Sequence, residues 1–228
     1  REDVAALIVE PIQGEAGYIV PPKEYLPKLE KICKKNGLIM IVHEVQSGFG
    51  RTGKMFACDH YGVQPDIICL AKALAAGLPM GATVAKSDVA NWEEGAHSNT
   101  YGGNLLACAA SLASISIIAK EKLYEKASSL GEHALKRLNE IKEENEIVGD
   151  IRGKGLMIGV EFVKDKKTKE NAVKETEKIT VEAFKRGLIL LPVGTSCVRI
   201  APPLNIQQGL LDKGLDILSD AIKLVESG

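Results

Sequence analysis

Two apolar runs separated by one amphipathic segment constrain the fold of this chain more than any other feature. "VAALIVEPI" (4–12) and "LIMIVHEV" (38–45) are nearly continuous and rich in β-branched residues. That is the pattern of strands covered on both faces. Between them, "PKEYLPKLEKICKKNG" (22–37) sets Leu26, Leu29 and Cys33 on one helical face. Lys34 and Lys35 suit the negative end of that helix, and Asn36-Gly37 stop it. "DIICLAKAL" and "GATVAKS" follow as two further short strand candidates. The β-α-β rhythm predicts an α/β domain built on a mostly parallel sheet.

From Asn104 the texture changes. "NLLACAASLASISIIAKEKLYEKASSLGEHALKRLNEIKE" reads as a long helical stretch, small-residue-rich first and charged later. "GLMIGVEFV" (155–163) reads as a strand, "ENAVKETEKITVEAFKRG" as a helix, and "LILLPV" and "CVRIAP" as short strands. The last helix carries Leu211, Leu215, Leu218, Ile222 and Val225 on one face. These elements predict a smaller α+β domain over 121–228, after a first domain over 1–120.

The chain of 228 residues has a net charge of −1, which gives no basis for a nucleic-acid or anionic-membrane partner. Its apolar runs are too short to span a bilayer, and it opens on charged "RED" rather than a signal sequence. The abrupt start at Arg1, directly before a strand of buried type, suggests that sequence upstream is missing. Cys33, Cys58, Cys69, Cys108 and Cys197 are odd in number and lack C-x-x-C spacing. They read as buried, reduced thiols of a cytoplasmic protein rather than disulfides or metal ligands.

The stretch "SGFGRTGK" spells two nucleotide motifs at once, G-x-G-x-x-G on Gly48, Gly50 and Gly53 and G-x-x-x-x-G-K up to Lys54. A dinucleotide fingerprint needs a helix starting inside the glycine run. The following "KMFACDHYGVQPD" has weak periodicity and soon meets Gly62 and Pro65. A phosphate loop needs Ser or Thr after its lysine, where this chain has Met55. The glycines are better read as a loop at the C-terminal edge of a parallel sheet, where α/β proteins place ligands.

Six motifs occur in order around that loop: "VEPIQGEAG" (9–17), "HEVQSGFGRTG" (43–53), "PDIICLAKAL" (65–74), "GLPMGA" (77–82), "NTYGGNLLACAA" (99–110) and "VRIAPPL" (198–204). Together they resemble the class III, or ω-amino-acid, aminotransferases, pyridoxal 5'-phosphate enzymes of fold type I. The resemblance covers nearly the whole chain and corresponds to roughly the second half of such an enzyme. It implies the end of the large, mostly parallel-sheet domain followed by the small C-terminal α+β domain. It also implies a homodimer acting on an amino acid and a 2-oxo acid.

Residue by residue, the resemblance implies that Lys72, in "LAKALAAG", is the Schiff-base lysine and the proton shuttle. From its own surroundings alone, Lys72 reads first as a surface lysine at a strand end; a Schiff-base amine needs a desolvated place or a nearby cation at a rigid sheet rim. Gln46 matches the contact to the cofactor's phenolic oxygen, and Val45 the packing on its ring. Thr100 matches the hydroxyl given to the cofactor phosphate of the partner subunit, and Thr100 or Asn104 also reads as a helix cap. Arg199 matches the residue that grips the substrate α-carboxylate, as a bidentate guanidinium can. Glu15 matches the glutamate that masks this arginine while an ω-amino substrate is bound. Glu10 is a lesser candidate for a supporting polar role.

One departure stands out. Where the family has an aspartate against the cofactor's pyridine nitrogen, this chain has His43. An imidazole supplies no fixed negative charge, so the ring loses part of its power as an electron sink. Glu44 is no obvious replacement, because successive strand side chains face opposite ways. Three readings follow: impaired activity, a substitution foreign to the natural protein, or a chain that keeps the fold without the reaction. The leading expectation is 4-aminobutyrate-like transamination with 2-oxoglutarate. Ornithine- or acetylornithine-type transamination is the rival within the family, and a non-catalytic fragment or partner subunit the rival outside it.

Overall fold

Alternation along the strands, and the glycines that end helices, set out two sheets in the computed structural model, which describes residues 3–227. The described chain divides into two compact units. One runs to Pro11 and then over Pro21–Tyr124; the other takes Ile12–Val20 and the chain from Glu125.

In the first unit the sheet order is β1-β2-β3-β4. Strands β1 (Ala6–Val9), β2 (Ile39–His43) and β3 (Ile67–Leu70) run parallel, and β4 (Ala82–Ala85) closes the edge antiparallel to β3. Helix α1 (Tyr25–Asn36) ends at Gly37, whose φ of 65° lets its N–H turn back to Cys33 O. Leu26 and Cys33 of α1 pack with Met40, Val42, Cys58 and Val63. The other face of the sheet is not covered among the described residues: Ile8 is 63% exposed and Val84 54%. The expected double-sided burial of β1 therefore holds on one face only. "DIICLAKAL" also splits, because the strand stops at Leu70 and Lys72–Ala75 form a 3-10 turn.

The expected long helix is two helices, α2 (Leu105–Lys120) and α3 (Leu123–Glu144), parted at Lys122 with φ 49°. Asn104 caps α2 by accepting from Ala107 N at 2.9 Å, so Thr100 is not the cap.

The second unit has an antiparallel sheet of order β5-β6-β8-β7. Its strands are β5 (Val148–Lys154), β6 (Met157–Phe162), β7 (Leu191–Val193) and β8 (Cys197–Ile200). Strand β5 escapes the sequence reading because "VGDIRGK" has two glycines and three charges. Helices α4 (Val173–Lys185) and α5 (Gln208–Ser227) and the body of α3 supply one side of the core. Leu211, Leu215, Leu218 and Ile222 of α5 meet Ile158, Val160, Val198 and Ile200 of the sheet. Alternation turns Gly159, Glu161, Cys197 and Arg199 to the opposite face. There the segment 12–20 packs, with Ile12 and Tyr18 buried against Met157.

Candidate active site

At the C-terminal ends of β2 and β3 the parallel pairing brings His43 beside Cys69. His43 shares the parity of Ile39 and Ile41 and is half-buried with them. Val45 and Gln46 follow in a turn, both half-buried. Beyond β3 the chain bends at Lys72, which takes φ 47°, a left-handed conformation uncommon for a side-chain-bearing residue and a reservoir of local strain. The bend aims Lys72 Nζ at Gln46 Oε1, 3.2 Å away. Lys72 is exposed, so the described residues do not supply the desolvation expected of a Schiff-base amine. Thr100 lies exposed in the turn before α2. Glu10 is half-buried just beyond β1.

The adjacent residue, Glu44, has a structural role that sequence reasoning did not foresee. It is fully buried. Its carboxylate accepts from Ser47 Oγ at 2.7 Å, Ala57 N at 3.0 Å and Cys58 N at 2.7 Å. Glu44 thus ties the loop 45–56 and the following 3-10 turn to the end of β2. Its effect on its neighbours is electrostatic: burial first, then the Glu44 charge, push the Cys58 thiol far up and raise Tyr61. A charged residue preceding a serine and two glycines is the signal that could have found it.

The same loop answers the nucleotide question. Gly50 N donates to Met55 O, Arg51 N to Gly48 O and Gly53 N to Gly50 O. Amides spent on the loop's own carbonyls are not free to cradle a phosphate. No α-helix follows; Ala57–His60 is a single 3-10 turn. Gly48 is there for close approach, since a Cβ on it would lie 2.9 Å from Glu44 O.

In the second unit, Arg199 on β8 meets Glu15 on the segment 12–20. Arg199 Nη1 lies 3.5 Å from Glu15 Oε2, a long contact whose carboxylate side chain is 81% exposed. A cavity of about 520 Å³ beside α4 and α5 also has Arg199 in its wall, with Pro202, Leu210 and Leu215. It is mainly apolar and has no acidic side chain in its lining. All five cysteines are unpaired. Cys69 and Cys108 are only half-buried, against the expectation of buried thiols. Among the described residues no cluster of His, Cys, Asp and Glu could hold a metal, and no helix is long and apolar enough to cross a membrane.

The α/β fold that carries these residues is that of the pyridoxal-phosphate transferases of fold type I. The profile described as "Aminotransferase class-III" matches residues 1–222, and the chain belongs to that family, whose members depend on pyridoxal 5'-phosphate. It is 47% identical over its whole length to the leucine/methionine racemase of Thermococcus litoralis, of which it covers 52%. It is 44% identical to the acetylornithine aminotransferase of Methanopyrus kandleri, over 97% of this chain and 54% of that one. It is 43% identical to the 4-aminobutyrate aminotransferase of Mycobacterium leprae, over 96% of this chain and 49% of that one. Its fold is similar to that of Plasmodium falciparum ornithine δ-aminotransferase, with TM-score 0.91 at 39% identity, over 99% of this chain and 57% of that one. The chain thus spans about half the length of the curated relatives it matches.

Proposed function

We propose that this chain is the C-terminal half of a pyridoxal-phosphate-dependent aminotransferase of the ω-amino-acid type, most like a 4-aminobutyrate aminotransferase. In this reading residues 1–120 complete the large cofactor domain and 121–228 form the small domain. The observation that carries it is the strained Lys72, whose amine stands 3.2 Å from Gln46 at the rim of two parallel strands. When bound, the cofactor supplies an electron sink for charge developing on the substrate carbon. The protein's own part is then positional. Lys72 offers the amine that condenses with an aldehyde and that moves the substrate proton. Gln46 would hold the phenolic-oxygen side of the cofactor, and Val45 would give its ring an apolar floor. His43 would face the pyridine nitrogen without a fixed negative charge, which would lower the rate. Glu44 cannot take over, because its carboxylate is buried and bonded on the other side of β2.

Arg199 is suited to hold a substrate carboxylate, and the long, exposed contact from Glu15 suits a mask that opens. Glutamate and 2-oxoglutarate would bind with the mask open, and 4-aminobutyrate with it closed. Thr100 belongs to a homodimer in which each subunit gives its hydroxyl to the phosphate held by the other. An exposed apolar surface supports this assembly: Leu105 is 87% exposed and Leu106 70%. The unpaired thiols suit the cytoplasm.

A second reading is racemisation of an α-amino acid, favoured by the 47% identity to a leucine/methionine racemase. Both readings use Lys72. Borohydride reduction after addition of pyridoxal phosphate, followed by peptide mapping, should label Lys72; a folded chain left unlabelled there ends both. The full-length enzyme should then form glutamate from 4-aminobutyrate and 2-oxoglutarate. Conversion of L-leucine to D-leucine without oxo-acid production selects the racemase instead.

A further inference from the structure

Arg152 and Arg199 stand in one row across the second sheet. Arg152 opposes Gly159, and Gly159 opposes Arg199. Residues directly opposed in antiparallel strands share a face, so the row reads arginine, glycine, arginine. The segment 12–20 forms a small hairpin, closed by Gln13 N to Ile19 O at 3.1 Å and Ile19 N to Gln13 O at 3.0 Å. It lies over Gly159: a Cβ there would come within 3.0 Å of Gly17 O and 3.3 Å of Tyr18 Cβ.

The two arginines then do different things. Arg152 Nε donates to Gly17 O at 2.8 Å. Its charge is met inside the sheet by Asp150 at 2.9 Å and by Glu161. Arg199 has a single carboxylate in reach among the described residues, that of Glu15. The backbone of Glu15 is also held, because Gly194 N donates to Glu15 O at 2.9 Å. The hairpin tip is therefore held at the carbonyls of Glu15 and Gly17, while the Glu15 side chain stays 81% exposed.

We propose that Arg152 is the positioning residue of this hairpin. Its bond to Gly17 O sets where Glu15 stands over Arg199, so that unmasking is a rotation of one side chain about a fixed backbone. The inference rests on the reading of Glu15 as the mask of Arg199. Loss of Arg152 lets the tip drift and leaves Arg199 permanently open to dicarboxylates. Cys197 reports on the same contact: its Sγ lies 3.9 Å from Gly17 O, and burial, against the pull of Arg152, raises its thiol to about 11.

The test titrates glutarate, a dicarboxylate with no reacting group, against the purified chain and four variants, with labelling of Cys197 read by peptide mass spectrometry. Glu15→Gln should tighten glutarate about 2- to 5-fold, the scale of an exposed ion pair, and leave Cys197 protected. Arg152→Met should tighten glutarate similarly; because it also removes the charge that pulls the Cys197 thiol down, Cys197 labelling is read in Gly159→Ala, which should tighten glutarate and speed that labelling on the order of 10-fold without altering charge. The double variant Glu15→Gln/Arg152→Met should bind no tighter than Glu15→Gln. A purely structural Arg152 would lower thermal stability but leave glutarate affinity alone, which would overturn the proposal. So would a protected Cys197 in Gly159→Ala. Unchanged affinity in Glu15→Gln overturns the mask itself, and the proposal falls with it.

Discussion

Replacing Glu44 should loosen the loop that carries Gln46, and the cost can be worked from its three hydrogen bonds. Each bond to a charged group contributes about 1.5–3 kcal/mol. In Glu44→Ala, Ser47 can turn to water, but Ala57 N and Cys58 N lose their acceptor in a buried place. Two stranded amides cost roughly 1–3 kcal/mol each, so we expect a loss of about 2–6 kcal/mol. That is a large share of a domain stability of about 5–15 kcal/mol. Glu44→Gln keeps one carbonyl for one amide and turns an NH₂ toward the other, so it should lose about 1–3 kcal/mol. Urea denaturation followed by circular dichroism measures both. Hydrogen exchange over the peptide 55–60 localises the effect, with Ala57 and Cys58 losing protection first. A Glu44→Ala variant that loses less than about 1 kcal/mol and keeps those amides protected would refute the reasoning.

Three further outcomes follow from the same structure. His43→Asp, in a full-length enzyme, should raise the transamination rate by at least about 10-fold by restoring a negative charge at the pyridine nitrogen; steady-state assays with 2-oxoglutarate check it, and no gain means the nitrogen contact is misassigned. The bond from His133, then that from Arg137, hold the Asp212 carboxyl below its ordinary 3.8. A carboxyl lowered on folding stabilises the protein above that value and loses the contribution as pH falls below it. Asp212→Asn should therefore lower the melting temperature at pH 7 by an amount worth no more than about 1 kcal/mol, with the gap to wild type closing below pH 3.8. Gly131→Ala would drive a Cβ to 2.2 Å from Gly155 O. It should cost about 1–3 kcal/mol or more, seen as a lower melting temperature or lost soluble yield.

Local pattern alone placed β2, α1 and the apolar face of α5, because each repeats one short-range period that a window of residues contains. The family resemblance carried by six ordered motifs, not local pattern, singled out Lys72, His43, Gln46, Glu15 and Arg199. Long-range contact decided the rest. Strand alternation said that Glu44 faces away from His43, but only folding brings Ala57 N and Cys58 N to its carboxylate. Sequence order put the segment 12–20 beside β1, yet its burial partner Met157 and its anchor Arg152 lie far along the chain. The physical reason is one of range. Hydrophobic period and capping act over a few residues, whereas a buried charge or a pinned hairpin is stabilised by groups that only tertiary packing brings within bonding distance.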